Sequence, residues 1–177
     1  MRHIPNILSG LRLLMVGVFA FFFSKERYLS CLITYVAAFL TDLLDGFLAR
    51  RNNWVSDLGK VLDPLADKLM VLTALVCFGI RGWLPVYMIA IVFAKELIMI
   101  IGGAILYKKS IVVYADWFGK LASGFFSASI ALTLAKHFFP AIGSLNVIVL
   151  AIAIVLALVA LVHYAYIQVF SRIQKNN

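Results

Sequence analysis

Residues 42–67 read DLLDGFLARRNNWVSDLGKVLDPLAD. This stretch sets four carboxylates, Asp42, Asp45, Asp63 and Asp67, into a chain that is 64% hydrophobic. An aspartate near hydrocarbon costs roughly 2.5–3.5 kcal/mol on insertion scales, so two short acidic clusters need a strong compensating partner. Hard oxygen ligands suit a divalent cation such as Mg²⁺. A metal site at a membrane surface in turn suggests chemistry on a phosphate-bearing lipid.

Outward from that stretch, the chain has 177 residues, of which only 14% are charged, and a mean hydropathy of +1.01. This balance excludes a soluble domain and predicts an all-α integral membrane protein, with residues 1–177 as one domain. Cys31 and Cys77 both lie in apolar runs and read as buried thiols without a disulfide. The net charge of +8 reports topology and anionic headgroups. Nucleic-acid binding is set aside, because the basic residues are scattered among apolar spans. Arg2 precedes an apolar run with no small-residue cleavage site, which predicts an uncleaved first helix.

Six apolar stretches approach the ~20 residues of a membrane span: 7–23, 29–49, 64–80, 84–106, 117–138 and 142–170. With the N-terminus inside, the cytoplasmic side holds Arg2, Arg12, Arg50, Arg51, Lys60, Lys68, Lys108, Lys109, Lys120, Arg172 and Lys175. The far side holds Lys25, Arg27, Arg81 and Lys136, and Lys95 lies within a span. Eleven against four predicts both termini in the cytoplasm. The expected fold is therefore a six-helix transmembrane bundle in the cell membrane, with a polar active-site cavity facing the cytoplasm.

Asp42 and Asp45 share one helix face at i and i+3, and Gly46 and Ala49 extend that face with small residues. Asp63 and Asp67 share a face at i and i+4. Pro64 suits a first helical position, which predicts Asp63 as an N-cap. The short polar segment between the clusters predicts antiparallel neighbours whose acidic faces converge. Four close carboxylates cannot all ionise without counter-charge. Two divalent ions supply it, and two metals ~3.5–4 Å apart are a recurring device of phosphoryl transfer. The alternative is that Lys60, Lys68 or Arg50 pairs with the acids as interhelical glue.

The pattern D-x2-D-G-x2-A-R-x8-G-x3-D-x3-D is filled by Asp42, Asp45, Gly46, Ala49, Arg50, Gly59, Asp63 and Asp67. It resembles the signature of the CDP-alcohol phosphotransferases at every defined position. The resemblance implies that a CDP-linked lipid, usually CDP-diacylglycerol, donates its phosphatidyl group to an alcohol while CMP leaves. It also implies Asp42, Asp45, Asp63 and Asp67 as metal ligands for Mg²⁺ or Mn²⁺ and Asp67 as the base. It further implies Gly46, Ala49, Arg50 and Gly59 as CMP-binding positions, and a homodimer.

The segments IPNILSGLRLL, GFLARR and LDPLADK look most like the bacterial phosphatidylglycerophosphate synthases, which implies glycerol-3-phosphate as the acceptor. A phosphorylated acceptor needs cations: Lys60, Lys68, Lys95, Lys108, Lys109 and Lys120 are candidates. Lys95-Glu96 stands where those synthases carry Arg-Glu, and is either a polar-cavity pair or a brace within the bundle. Within the same chemistry the rivals are a cardiolipin synthase, using phosphatidylglycerol, and an inositol-phosphate or serine transferase. A cation transporter is disfavoured because the acids cluster at one membrane face. Arg12 near the cytoplasmic end of the first span either snorkels to headgroups or contacts donor phosphates. His137 and His163 read as packing or interfacial residues. Asp116 reads as the cap of the fifth helix, and Trp54, Trp83 and Trp117 as parts of an aromatic belt.

Overall fold

The structure is a computed structural model that describes the backbone of residues 4–52, 57–108 and 117–173, and side chains within 10–42, 65–102 and 117–166. Among the described residues the chain is all helical, with α1 (Ile4–Ser24), α2 (Tyr28–Asn52), α3 (Asp57–Ile80), α4 (Val86–Lys108), α5 (Trp117–Ala135) and α6 (Leu145–Ile173). A 3-10 turn at Pro140–Ile142 precedes α6. These helices coincide with the six apolar stretches of the sequence. Among the described residues, Trp117–Ala135 and Leu145–Tyr166 are long and apolar enough to cross a membrane, and Gly10–Ser24 and Tyr28–Asp42 are shorter apolar helices.

The helices fall into two compact units. The first holds residues 1–83 with 130–143, so the end of α5 belongs to it. Here α1 packs against both α2 and α3. The buried face of α3 runs through Ala66, Met70, Ala74 and Phe78, one helical turn apart each time, and α1 meets it with Phe23 while Phe19 packs against Tyr35 of α2. The alanines at Ala38, Ala66 and Ala74 let the helix backbones approach closely.

One end of this unit is closed by aromatic rings. Tyr28 lies edge-on to His137 with centroids 4.5 Å apart and to Trp83 at 4.8 Å, while Phe23 meets Trp83 at 5.5 Å and Phe78 at 5.9 Å. His137 is thus a packing residue, as its sequence context predicts. Across the same end, Arg81 Nη2 donates to Glu26 Oε1 at 2.6 Å, which ties the α1–α2 turn to the α3–α4 turn. The two turns use left-handed backbone at Glu26 (φ 58°) and Gly82 (φ 68°). Gly82 adopts this without a Cβ penalty, whereas Glu26 carries one.

The second unit holds residues 84–129 and 144–177, with α4 packed on α6. Ser129 Oγ donates to the Asn146 carbonyl at 2.9 Å, a fully buried bond that joins α5 to the start of α6. His163 packs edge-on against Phe118 with centroids 6.1 Å apart, again a packing role. Large apolar side chains point outward in both units, among them Leu14, Phe21, Ile33, Ile100, Val155 and Val162. Exposed apolar surface on this scale suits a lipid environment better than water.

One expectation is overturned. α3 begins at Asp57, so Asp63 and Pro64 lie inside the helix and Asp63 is not its N-cap. A proline in a helix forfeits one backbone hydrogen bond and crowds the carbonyl four residues earlier. Leu58, Lys60 and Leu62, residues of good helix propensity, precede it and favour the extra turns. Consequently Gly59 also lies on α3, and only residues 53–56 separate the helices that carry the acidic clusters.

Candidate active site

The acidic signature is distributed over two helices. Asp42, Asp45, Gly46, Ala49 and Arg50 lie on α2; Gly59, Asp63 and Asp67 lie on α3. The helical backbone puts Asp42 and Asp45, and likewise Asp63 and Asp67, on common faces. Of these side chains, Asp42 and Asp67 are described. Those of Asp45, Gly46, Ala49, Arg50, Gly59 and Asp63 lie outside the described residues, as do those of Lys60, Lys108, Lys109 and Asp116, and Trp54.

Asp42 and Asp67 meet at Arg12 of α1. Arg12 Nη1 donates to Asp67 Oδ1 at 2.9 Å. Arg12 Nη2 lies 2.9 Å from Asp42 Oδ1, close enough for an ion pair but away from the N–H direction, so this contact is chiefly Coulombic. The guanidinium is 1% exposed, whereas the Asp42 and Asp67 side chains are 37% and 46% exposed. A buried cation therefore sits behind two half-open carboxylates from different helices.

Of the two readings the sequence leaves open for Arg12, snorkelling toward headgroups is set aside, because the residue is buried and paired within the protein. The acidic faces of α2 and α3 are joined through α1, since α1 is the helix that packs on both. Nothing in the local sequence marks the partnership, because Arg12 is remote in sequence from both acids. The available signal was depth: Arg12 and the acids were placed at the same end of their spans.

Among the described residues no group of three or more metal-binding side chains is assembled. The donor set that is described nonetheless fits a hard divalent cation. Each carboxylate has about four lone-pair directions, and Asp42 and Asp67 each commit Oδ1 to Arg12 while their side chains stay open to the outside. Oxygen ligands with residual negative charge are what Mg²⁺ binds.

The described candidate cations of the acceptor site, apart from Lys68 on α3, belong to the second unit. Lys95 pairs with its neighbour Glu96 on α4, Nζ to Oε1 at 2.5 Å, with side chains only 11% and 13% exposed. The charge of Lys95 is thus balanced where it stands, as burial requires. Lys120 is exposed in the first turn of α5, and its carbonyl accepts a hydrogen bond from Ser123 Oγ at 2.8 Å.

The model of the family described as CDP-alcohol phosphatidyltransferase matches residues 2–160. An Aquifex aeolicus protein named CDP-diacylglycerol–glycerol-3-phosphate 3-phosphatidyltransferase is 33% identical over 130 residues, covering 72% of this chain and 73% of its own. A Mycobacterium tuberculosis protein named "Probable phosphatidylglycerophosphate synthase" is 31% identical over 171 residues, 92% of this chain and 79% of its own. A Streptomyces coelicolor cardiolipin synthase (CMP-forming) is 36% identical over 111 residues, 59% of this chain and 52% of its own. The chain belongs to the CDP-alcohol phosphatidyltransferase family.

Proposed function

We propose, with membership of the CDP-alcohol phosphatidyltransferases as the premise, that this chain transfers the phosphatidyl group of CDP-diacylglycerol to glycerol-3-phosphate. The acceptor hydroxyl oxygen attacks the phosphorus that carries the diacylglycerol, a new P–O bond forms, the bond to CMP breaks, and CMP leaves. The product is phosphatidylglycerophosphate, a step of phospholipid synthesis. The observation that carries the reading is the meeting of Asp42 and Asp67, from the two signature helices, at one buried cation. The names of the Aquifex and Mycobacterium relatives support the choice of acceptor.

Asp42, Asp45, Asp63 and Asp67 would hold the divalent ions, Mg²⁺ or Mn²⁺. When bound, such ions polarise the diphosphate and stabilise the charge that develops on it. The chain's own groups supply the rest. Asp67 takes the proton of the acceptor hydroxyl. Gly46, Ala49 and Gly59 leave room for the nucleotide, and Arg50 forks onto its phosphate. A carboxylate is a weak base, but it suffices for a hydroxyl already polarised at the site. Lys120, Lys108, Lys109 and Lys95 are the candidates for the acceptor's phosphate.

We further read the chain as one catalytic domain that crosses the cell membrane six times, with both termini and the site on the cytoplasmic side, and as a homodimer. The family match runs continuously through both compact units, which supports the single domain. The positive-inside distribution of Lys and Arg supports the orientation.

A second acceptor, phosphatidylglycerol, is favoured by the Streptomyces relative, whose name is cardiolipin synthase. CMP release from purified protein with CDP-diacylglycerol, Mg²⁺ and each acceptor in turn separates the two. Turnover with glycerol-3-phosphate is the expected result. Turnover with phosphatidylglycerol alone overturns the acceptor assignment.

A further inference from the structure

We infer that Arg12 is a positioning residue for the acidic site: its guanidinium fixes where the Asp42 and Asp67 oxygens stand relative to one another, and so presets the cation site before any ion arrives. The inference rests on the proposed role of those aspartates as metal ligands. Three observations carry it. The two terminal nitrogens are divided between two residues, Nη1 on Asp67 and Nη2 on Asp42. The carboxylates come from separate helices, and α1, which bears Arg12, packs on both. The Arg12 side chain is buried at 1% exposure, whereas those of Asp42 and Asp67 are 37% and 46% exposed.

A planar guanidinium holds its two terminal nitrogens at a fixed separation, so the hydrogen bond from Nη1 to Asp67 and the ion pair of Nη2 with Asp42 are kept at once. Lysine carries the same charge at a single point on a flexible stem and cannot set that spacing. The Arg12→Lys substitution therefore isolates geometry from charge. Charge alone predicts the reverse of positioning when it is removed. A neighbouring positive charge repels a divalent ion, so deleting it would tighten binding unless the lost geometry outweighs it. Partners that hydrogen-bond to metal-ligating carboxylates commonly contribute 10–100-fold in metal affinity or activity.

The test uses the full chain in lipid nanodiscs, with Mn²⁺ binding followed by electron paramagnetic resonance without nucleotide, thermal unfolding as the control for folding, and CMP release with glycerol-3-phosphate. Arg12→Lys is expected to stay folded, to bind Mn²⁺ at least about 10-fold more weakly, and to lose kcat by about 10-fold with KM for glycerol-3-phosphate unchanged. Mn²⁺ affinity and kcat equal to those of the unaltered protein overturn the inference. Should Arg12→Lys not fold, Arg12→Gln takes its place: weaker Mn²⁺ binding supports positioning, and equal or tighter binding overturns it. Failure of both variants to fold assigns Arg12 to the stability of the helices and also overturns it. Absence of Mn²⁺ binding by the unaltered protein is a different failure, since it removes the metal-ligand reading itself.

Discussion

Arg12 and Asp67 stand 2.9 Å apart, Nη1 to Oδ1, and thereby join α1 to α3 at the level where Asp42 of α2 also arrives. The pairing is lopsided: the cation is buried and the anion is half open. Here the buried guanidinium offsets the charge of two carboxylates that remain partly exposed.

The proposed base is tested most simply by Asp67→Asn. The amide cannot accept the acceptor's proton, so CMP release is expected to fall by about 10²–10⁴-fold, the usual range for a positioned base. The amide keeps an oxygen for Arg12 but not the charge that balances it, so the thermal unfolding temperature should fall somewhat and activity is read per folded molecule. A single-turnover assay with CDP-diacylglycerol and glycerol-3-phosphate reads the chemical step directly, and near-normal turnover would remove Asp67 from that role.

Asp42→Asn should act on the cation instead. Losing one anionic ligand is expected to weaken Mn²⁺ binding by about 10-fold or more, with activity partly recovered at high Mg²⁺. Isothermal titration with Mn²⁺ measures the first effect and a Mg²⁺ dependence of CMP release the second. Unchanged affinity would take Asp42 out of the ligand set.

Ion binding should also be visible in stability. A cation that binds only the folded protein stabilises it by about 2.7 kcal/mol at a hundred times its dissociation constant. Thermal unfolding in detergent is therefore expected to shift upward as Mg²⁺ or Mn²⁺ is added, and at the same ion concentration the shift should be smaller in Asp42→Asn.

At the opposite end of the first unit, Phe78 is fully buried among Phe23 and Trp83. Phe78→Ala is expected to cost about 3 kcal/mol of stability, through lost burial and the cavity left behind. CMP release per folded molecule should be unaffected, because this cluster is remote from the acids along every helix of the unit. Denaturant titration beside an activity assay distinguishes the two effects.

The six helices were legible because each apolar run has the length of a span and is broken by charged or turn-forming residues; the break at Ser24–Tyr28 matches the structure directly. The start of α3 was misread because Pro64 carries the local signal of a first helical turn, and only the surroundings decide that the helix continues before it. The acids themselves were legible from cost and spacing, since few other arrangements justify them in so apolar a chain. The partner of Asp42 and Asp67 was not, because helix packing, not local sequence, brings Arg12 to them. His137 was legible as a packing residue by elimination, having no metal-binding neighbour at helical spacing, and its place between Tyr28 and Trp83 agrees.

The central claim is that the aspartates of α2 and α3 hold divalent cations for phosphatidyl transfer. Purified protein, stripped with chelator and supplied with CDP-diacylglycerol and glycerol-3-phosphate, tests it through CMP release before and after Mg²⁺ is restored. The account predicts no CMP from the stripped protein and recovery on adding the ion. Undiminished CMP release by protein verified free of metal would contradict it.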